Sequence, residues 1–373
     1  MKIKVNRESF QKVFQIASAV APARSPKIIL QNIKLNVVSS DQVVLTATDM
    51  ELGVRLNVPD VEVESPGQAV IPVSRLNMIL RESNDEHLTL EASSEKTLVT
   101  GLHSRFELAA HNPDEFPEVA NFEDKDYFEV SANVLKEMIK RTLFATDAES
   151  SRYALGGVLL EFEKDNIIAV GTDGRRLATM KGSIKTVGNP VSESTTTIVP
   201  SRAMQLIERL IPEGDNPVQL APRSNDLLVK ESNGVFYTRL VEGRFPKWRD
   251  VLPSREETNR IDIPVGPMYS ALRQAAVVAS EESRGVDFTF KEGTLIMSNT
   301  TAEVGQSRIE MPVPFESDEL TITLDHRYVA DFLKVLQPDK TFTFDIENGD
   351  QAAFCQTDDN YGYVIMPLAK DRQ

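Results

Sequence analysis

Two hydrophobic periodicities alternate along this chain and predict a mixture of helices and strands. From Arg7 to Ala19, apolar residues recur at a spacing near 3.6, which predicts a helix with one buried face. Segments such as KLNVVSS, QVVLTAT and GVRLNVP alternate apolar and polar residues, as half-buried strands do. The same reasoning predicts five further helices, at Ser74–Arg81, Ala132–Phe144, Ser201–Leu210, Pro267–Ala279 and His326–Leu336. Ser74 and Ser201 are expected to be the N-caps of their helices.

This succession of elements occurs three times. The segments LTATDMELG around Asp49, AVGTDGRRLA around Asp173 and LIMSNTTAEVG around Asn299 lie about 125 residues apart. Solenoid repeats are much shorter, whereas this period has the size of a domain. Two other markers follow the same period: the helix starts at Arg75, Arg202 and Arg327, and the segments DEFPEV and GRFPKW that close the first two repeats.

The repeat predicts three α+β domains, over 1–126, 127–255 and 256–373. Each domain is expected to contain two helices and about eight strands. The polar stretches 121–127 and 253–260 are expected to be linkers between the domains.

Charge is distributed unevenly over these elements. The chain of 373 residues has a net charge of −15, yet the six helix segments, counted with the loop after the first helix, sum to +8. The remaining residues therefore carry −23. One interpretation is that amphipathic helices simply have solvated basic faces. The other is that repetition brings the basic helices to equivalent positions, where they form a surface for a polyanion.

Signals for catalysis, metal binding and membrane insertion are weak. The only cysteine, Cys355, excludes an intramolecular disulfide and fits a reducing, cytoplasmic compartment. The four histidines have no metal-ligand spacing, and there is no P-loop or dinucleotide-binding motif. No apolar stretch has the length of a membrane span. We therefore expect no cofactor, no metal and no membrane partner. The alternative is an enzyme on a triplicated scaffold, acting on a sugar or nucleotide.

Several strings resemble the bacterial DNA polymerase III beta subunit, the sliding-clamp family. They are RYALGG from Arg152, TDGRRLA from Thr172, EGRFP from Glu242 and YVIMPL from Tyr363, and the likeness extends over essentially the whole chain. The resemblance implies a head-to-tail homodimeric ring of six domains, with helices around a central hole. It implies a non-catalytic processivity factor that encircles double-stranded DNA without base recognition and tethers the replicative polymerase.

The resemblance also implies which residues contact each partner. Clamp partners would be the DNA polymerase III catalytic subunit, the clamp loader, and other polymerases and repair proteins, held through a short apolar peptide. The implied peptide cleft consists of Leu155, Thr172, Gly174, Arg175, Arg176, Leu177, Pro246, Val364, Met366 and Pro367. Channel residues that touch phosphates would be Arg24, Lys27, Arg75, Lys140, Arg141 and Arg202. The dimer interface would pair Phe106 and Leu108 with Val277 and Val278.

Two features depart from the family pattern. The chain continues for five residues after Leu368, at the rim of the implied cleft. The segment PARSPK at 22–27 replaces the usual Gly- or Thr-rich loop of the DNA-contact region.

Overall fold

The computed structural model describes residues 1–147, 149, 153–190, 197–252, 258–280, 283–302 and 304–368. These residues belong to two compact units, one of Met1–Asn133 with Ile184–Leu240 and one of Val134–Ser183 with Val241–Gln373. The middle third of the sequence contributes to both units. The two boundaries between the three domains therefore remain predictions, and the one between 255 and 256 falls outside the described residues.

All six expected helices are present in the described part of the chain. Three of them end earlier than the sequence predicts. In two, the chain tightens into short 3-10 helices at Leu143–Ala145 and Ala276–Val278, and the last helix ends at Lys334 instead of Leu336. The helices are α1 Arg7–Val20, α2 Val73–Glu82, α3 Ala132–Thr142, α4 Ser201–Leu210, α5 Val265–Ala275 and α6 His326–Lys334.

The helix starts show where the capping prediction was wrong. Ser74 and Ser201 lie inside their helices, because α2 and α4 begin directly after Pro72 and Pro200, which offer no side-chain acceptor. Side-chain caps occur elsewhere. Asn6 accepts hydrogen bonds from the second and third backbone N–H groups of α1, and Asp325 accepts one from the backbone of α6.

The first unit contains two antiparallel sheets. Their orders are β5-β1-β7-β8-β9 and β10-β15-β16-β17-β4-β3-β2-β6, with β9 and β5 at the edges of the smaller sheet. The strands are β1 Lys2–Asn6, β2 Asn32–Val37, β3 Val43–Thr48, β4 Leu52–Asn57, β5 Val61–Ser65, β6 Gln68–Pro72, β7 His87–Ala92, β8 Lys96–Thr100, β9 Arg105–Ala109, β10 Tyr127–Ser131, β14 Thr197–Pro200, β15 Pro217–Pro222, β16 Asp226–Glu231 and β17 Gly234–Arg239.

The second unit also has two antiparallel sheets, with the orders β18-β23-β24-β25-β13-β12-β11 and β21-β20-β19-β22. The long strand β13 pairs with β12 and β25 in this unit, while its last four residues belong to the first unit and pair with β10 there. The strands are β11 Gly157–Phe162, β12 Asn166–Thr172, β13 Arg176–Val187, β18 Asn259–Pro264, β19 Gly285–Lys291, β20 Thr294–Thr301, β21 Gly305–Pro312, β22 Leu320–Asp325, β23 Thr341–Ile346, β24 Ala353–Gln356 and β25 Tyr361–Ile365.

In each unit, aromatic side chains of the helices are buried in the core. In α1, Phe10 and Phe14 are fully buried with their ring centroids 6.2 Å apart, on the face that the periodicity predicts. In α6, Phe332 stacks on Tyr363 at 5.2 Å and on Tyr361 at 5.6 Å. Burial of such large apolar surfaces is the main contribution to the stability of each unit.

Candidate functional site

A tight turn between β12 and β13 organises the candidate cleft. The Thr172 hydroxyl donates to the Arg176 carbonyl at 2.7 Å and accepts from the Gly174 N–H at 3.1 Å. Asp173 accepts the next two backbone N–H groups, at 2.9 and 3.0 Å. Gly174 has a φ of +88°, and a Cβ added to it would meet no atom within 4 Å. Glycine is therefore favoured here by the backbone conformation and not by space.

The Arg176 side chain locks this turn to α6 and to the segment after α3. Its guanidinium donates to Asp173 at 3.0 Å, to Asp331 at 2.8 Å and to the Phe144 carbonyl at 2.7 Å, and it lies 4.4 Å from the Tyr328 ring centroid. Burial opposes the charge, but interactions with Tyr363 and Asp331 outweigh burial and hold the pKa of Arg176 above its ordinary value. Arg176 therefore supports the wall of the cleft.

Apolar residues of β13 and β25 pair next to this turn. Leu177 and Val364 are direct cross-strand partners, and both are buried. The Met366 N–H donates to the Arg175 carbonyl at 2.9 Å, which extends the pairing past the end of β25. Met366 remains 44% exposed, so its flexible thioether is available to a ligand.

The other cleft residues come from two further segments. Leu155 is buried in a short 3-10 helix, Tyr153–Gly156, whereas Pro246 is exposed and Pro367 is half-buried. A Cβ at Gly243 would lie 3.7 Å from that of Ala154, so the segments EGRFP and RYALGG are neighbours. Arg152, which belongs to the second string, lies outside the described residues.

A polar cavity of about 590 Å³ continues from the turn. Of its lining residues, sequence reasoning predicted only Arg175 and Arg176 as cleft residues. The signal that could have located Tyr328 and Asp331 is the repeat marker Arg327, which they follow on α6. The lining of the cavity consists of Thr146, Asp147, Asp173, Arg175, Arg176, Arg327, Tyr328 and Asp331.

The cationic residues expected to face DNA differ in availability. Arg24, Lys27, Arg75 and Lys140 are exposed. Arg202 is exposed too, but it forms an ion pair with Asp49 and donates to two carbonyls at the end of α1. The six residues are thus not equivalent, and four have side chains that extend into solvent.

The assignment of Arg141 to phosphate contact needs correction. Only 7% of this residue is exposed, and its guanidinium bonds Glu137 and Asp359, each at 2.6 Å, while lying 5.0 Å from the Tyr361 ring centroid. The sequence predicts that Arg141 is a basic residue on a helix, but it does not predict that two carboxylates form ion pairs with it.

We expect Asp359→Asn to destabilise the protein by about 1 kcal/mol at pH 7, a value suited to a pair with one half-exposed partner. Burial raises the pKa of Asp359, but hydrogen bonds from Thr357 and Arg141 outweigh it and hold the pKa below its ordinary value. The contribution is therefore present above a pH of about 4 and disappears as pH falls through the folded-state pKa. Urea unfolding from pH 3 to pH 7 measures it. A difference between variant and wild type that grew towards low pH would contradict this assignment.

The four residues expected at the dimer interface are not core residues. Phe106 is 38% exposed on β9, an edge strand, and Leu108 on the same strand is half-buried. Val277, in the 3-10 helix after α5, is 75% exposed, and Val278 is half-buried. Exposed apolar side chains at sheet edges are typical of surfaces that pair with another chain.

Models of the DNA polymerase III beta subunit match almost the whole chain. The N-terminal domain matches residues 1–120, the central domain 129–247 and the C-terminal domain 249–369. The chain belongs to the DNA polymerase III beta subunit family. The order of the three domains agrees with the three repeats seen in the sequence.

Relatives and solved structures agree with this assignment. The beta sliding clamp of Haemophilus influenzae is 28% identical over 377 residues, which cover 99% of this chain and 100% of that protein. The beta sliding clamp of Escherichia coli K12 is 27% identical over 376 residues, with the same two coverages. The DNA polymerase III beta subunit of Pseudomonas aeruginosa superposes with a TM-score of 0.90 at 25% identity, over 99% of this chain and 100% of that one. The Bacillus subtilis sliding clamp, at 21% identity and a TM-score of 0.91 over 99% of each chain, supports the fold alone.

Three predictions are thereby confirmed: the family, the fold class of repeated α+β clamp domains, and the role of a DNA polymerase processivity factor. As a member of this family the protein is an accessory subunit and not an enzyme. The alternative of an enzyme on a triplicated scaffold has no support from the relatives.

The side chains that the sequence offered as candidates for catalysis have structural surroundings. Cys355 is buried in β24, and burial holds the pKa of its thiol above the ordinary value, which disfavours the reactive thiolate. Asp358 and Asp359 lie in the turn between β24 and β25, as expected. Within the described residues there is no group of three potential metal-ligating side chains, and no helix is long and apolar enough to cross a membrane.

Proposed function

We propose that this protein forms a head-to-tail homodimeric ring around double-stranded DNA and tethers a DNA polymerase to it. The observation that carries this proposal is the match of three consecutive beta-subunit domains over residues 1–369. Tethering raises the effective concentration of the polymerase at its template, so a polymerase that dissociates rebinds locally. We also propose the domain boundaries 1–126, 127–255 and 256–373, and a cytoplasmic location.

Two unlike edges support a ring closed by heterologous contacts. One edge is β9 with Phe106 and Leu108, and the other is the end of α5 with Val277 and Val278. Because the two surfaces differ, each chain offers one of each to its partners, and two copies close into a ring with two identical interfaces. Exposed apolar groups on both surfaces supply area to bury.

The exposed cations support loose contact with DNA. Arg24, Lys27, Arg75 and Lys140 extend from a chain whose net charge is −15. So few phosphate contacts imply weak, salt-sensitive and sequence-independent direct affinity. Arg202 would contribute less than these four, since Asp49 already neutralises it.

The cleft beside β13 and β25 supports capture of a short, largely apolar peptide. Met366 supplies exposed apolar surface next to the buried pair Leu177 and Val364, and the polar cavity beside the Thr172 turn can orient the peptide. We propose that the DNA polymerase III catalytic subunit, the clamp loader, and other polymerases and repair proteins share this cleft. Ala369–Gln373, which would follow its rim, lies outside the described residues.

Primer extension tests this function directly. With the cognate polymerase and clamp loader on a singly primed circular template, we expect the wild-type protein to lengthen single-encounter products at least about tenfold. Met366→Asp, in the proposed cleft, should shorten these products, and its matched control Val38→Asp, in an exposed loop of the first unit, should behave as wild type. Products of unchanged length with the wild-type protein, under conditions where the polymerase is active, would refute the proposal.

A further inference from the structure

The turn that organises the cleft has a close copy in the first unit. The Thr48 hydroxyl donates to the Leu52 carbonyl at 2.7 Å and accepts from the Met50 N–H at 2.9 Å. Asp49 accepts the N–H groups of Glu51 and Leu52 at 3.0 and 2.7 Å. These four hydrogen bonds repeat, donor for donor, those of the turn from Thr172 to Arg176.

The strand pairing beside the turn is repeated too. Gly53 pairs with Tyr237 across β4 and β17, as Leu177 pairs with Val364 across β13 and β25. The Arg239 N–H donates to the Glu51 carbonyl at 2.9 Å, the same distance as from Met366 to Arg175. The first unit thus contains the backbone framework of the proposed peptide cleft a second time.

A cavity of about 470 Å³ lies against this second framework. Its walls include Thr48, Met50, Glu118, Asp226, Tyr237 and Arg239, all within the first unit. A volume of this size accommodates a large side chain together with part of a peptide backbone.

The side chains of this cavity do not suit the apolar peptide proposed for the other cleft. A Cβ on Gly53, the counterpart of Leu177, would lie 2.6 Å from a Val119 methyl carbon, so Val119 already occupies that space. Tyr237 and Arg239 stand where the other cleft has Val364 and Met366. The framework is shared, but polar side chains replace these apolar ones.

The charges of the cavity select a cationic ligand. Asp124 holds Arg223 through two hydrogen bonds of 3.2 and 2.8 Å, and Glu51 holds Arg239 at 3.3 Å. Both cations therefore have closer carboxylate partners than Asp226.

Two further carboxylates, those of Asp226 and Glu118, also line the cavity. The Oδ1 atom of Asp226 is buried without a hydrogen-bond donor, with Arg223 only at 3.6 Å, and Glu118 is exposed. Burial raises the pKa of Asp226, which reflects this deficit. A ligand that brings a positive charge and N–H donors could form ion pairs with both carboxylates.

Met50 supplies an adaptable wall at the mouth of the cavity. It occupies a left-handed conformation, with φ of +82°, where its counterpart in the other turn is Gly174 at φ of +88°. Its side chain is 45% exposed. A thioether side chain can fit the aliphatic part of a long cationic residue.

We propose that this cavity is a second ligand site, which binds an arginine side chain of an extended peptide from a partner protein. Asp226 and Glu118 would accept the guanidinium N–H groups, and Met50 with Tyr237 would contact the methylenes. This inference rests on the proposed function. The cleft beside β13 and β25 is proposed to bind a peptide, and the second framework would also bind a peptide, but through a cationic side chain instead of apolar ones.

Methyl NMR of the full-length protein, labelled with ¹³C at its methionine methyl groups, tests both sites in one spectrum. Met50 reports on the cavity and Met366 on the proposed apolar cleft, and Met50→Leu and Met366→Leu assign their signals. The probes are acetyl-Gly-Arg-Gly-amide, its neutral citrulline analogue, spermidine, and an apolar polymerase-derived clamp-binding peptide.

We expect the arginine probe to shift the Met50 signal saturably and to leave Met366 unchanged. The citrulline probe should bind at least about tenfold more weakly, and Asp226→Asn should weaken the arginine probe at least about tenfold. Asp41→Asn, in an exposed loop of the same unit, should leave its affinity unchanged. An unchanged melting temperature shows that Asp226→Asn is folded. If that variant fails to fold, Glu118→Gln replaces it, with at least about a threefold loss expected.

Three results would overturn the inference: no saturable Met50 response, equal affinity for the citrulline probe, or tighter binding of spermidine than of the arginine probe. The apolar peptide keeps the two hypotheses apart. If it fails to shift Met366, the proposed cleft is wrong whatever Met50 does, and if it shifts Met366 while Met50 ignores arginine, only the second site is wrong.

Discussion

Replacing Phe106 by Glu should convert the proposed dimer into monomers at low micromolar concentration. Phe106 lies on the edge strand β9 with part of its ring exposed, and it pairs with Val99 of the neighbouring strand. Removing a buried phenylalanine from an interface loses about 1.5–3 kcal/mol, and burying the new carboxylate adds a further cost. A head-to-tail ring contains two such interfaces, so the loss applies twice.

Analytical ultracentrifugation measures this effect. Val38 is the matched control, because it is also an exposed apolar residue of the same third of the chain but lies in a loop away from β9. Val38→Glu should sediment as the wild-type dimer. A Phe106→Glu protein that remained dimeric at about 1 µM would show that β9 is not the interface.

Replacing Met366 by Asp should weaken binding of a polymerase-derived clamp-binding peptide about a hundredfold. Met366 is 44% exposed and lies two residues after Val364, and a carboxylate there would be desolvated by an apolar ligand. A loss of about 2.7 kcal/mol corresponds to that factor. Its backbone bond to Arg175 does not depend on the side chain, so the fold should be retained.

Deleting Met366 to Gln373 should abolish peptide binding altogether while the dimer persists. The point variant is the cleaner test, because the deletion also removes the bond from the Leu368 N–H to the Thr323 carbonyl. Fluorescence anisotropy with a labelled peptide measures both variants, and Val38→Asp is the control. Unchanged affinity in the truncated protein would rule out this cleft as the peptide site.

Most of the fold could be predicted from the sequence, because helices and strands each impose a regular spacing on the apolar residues. The buried stripe of α1 with Phe10 and Phe14, the six helices and the threefold spacing all follow from local patterns. The helix starts were less readable. Ser74 and Ser201 have the right chemistry for N-caps, but the preceding prolines already set the extended backbone from which α2 and α4 begin.

The site was less readable, because its chemistry depends on partners distant in sequence. Arg141 looks like any basic helix residue until β24 and β25 bring Asp359 to it from 218 positions away. Arg176 likewise looks like a rim residue until Asp331 and the Phe144 carbonyl enclose it. The cleft positions came from resemblance, and nothing in the periodicity distinguishes Leu177 or Val364 from ordinary strand residues.

The central claim is a topological link between a closed ring and DNA, and retention on circular DNA tests it most directly. The protein is loaded by its clamp loader onto nicked circular DNA, purified by gel filtration, and followed after the DNA is cut once with a restriction enzyme. We predict that it stays on the circle even at about 0.5 M salt, where phosphate contacts by residues such as Arg24 and Lys27 are screened. It should be lost within minutes of linearisation. Release from the intact circle by salt alone, or equal retention on circular and linear DNA, would contradict the account.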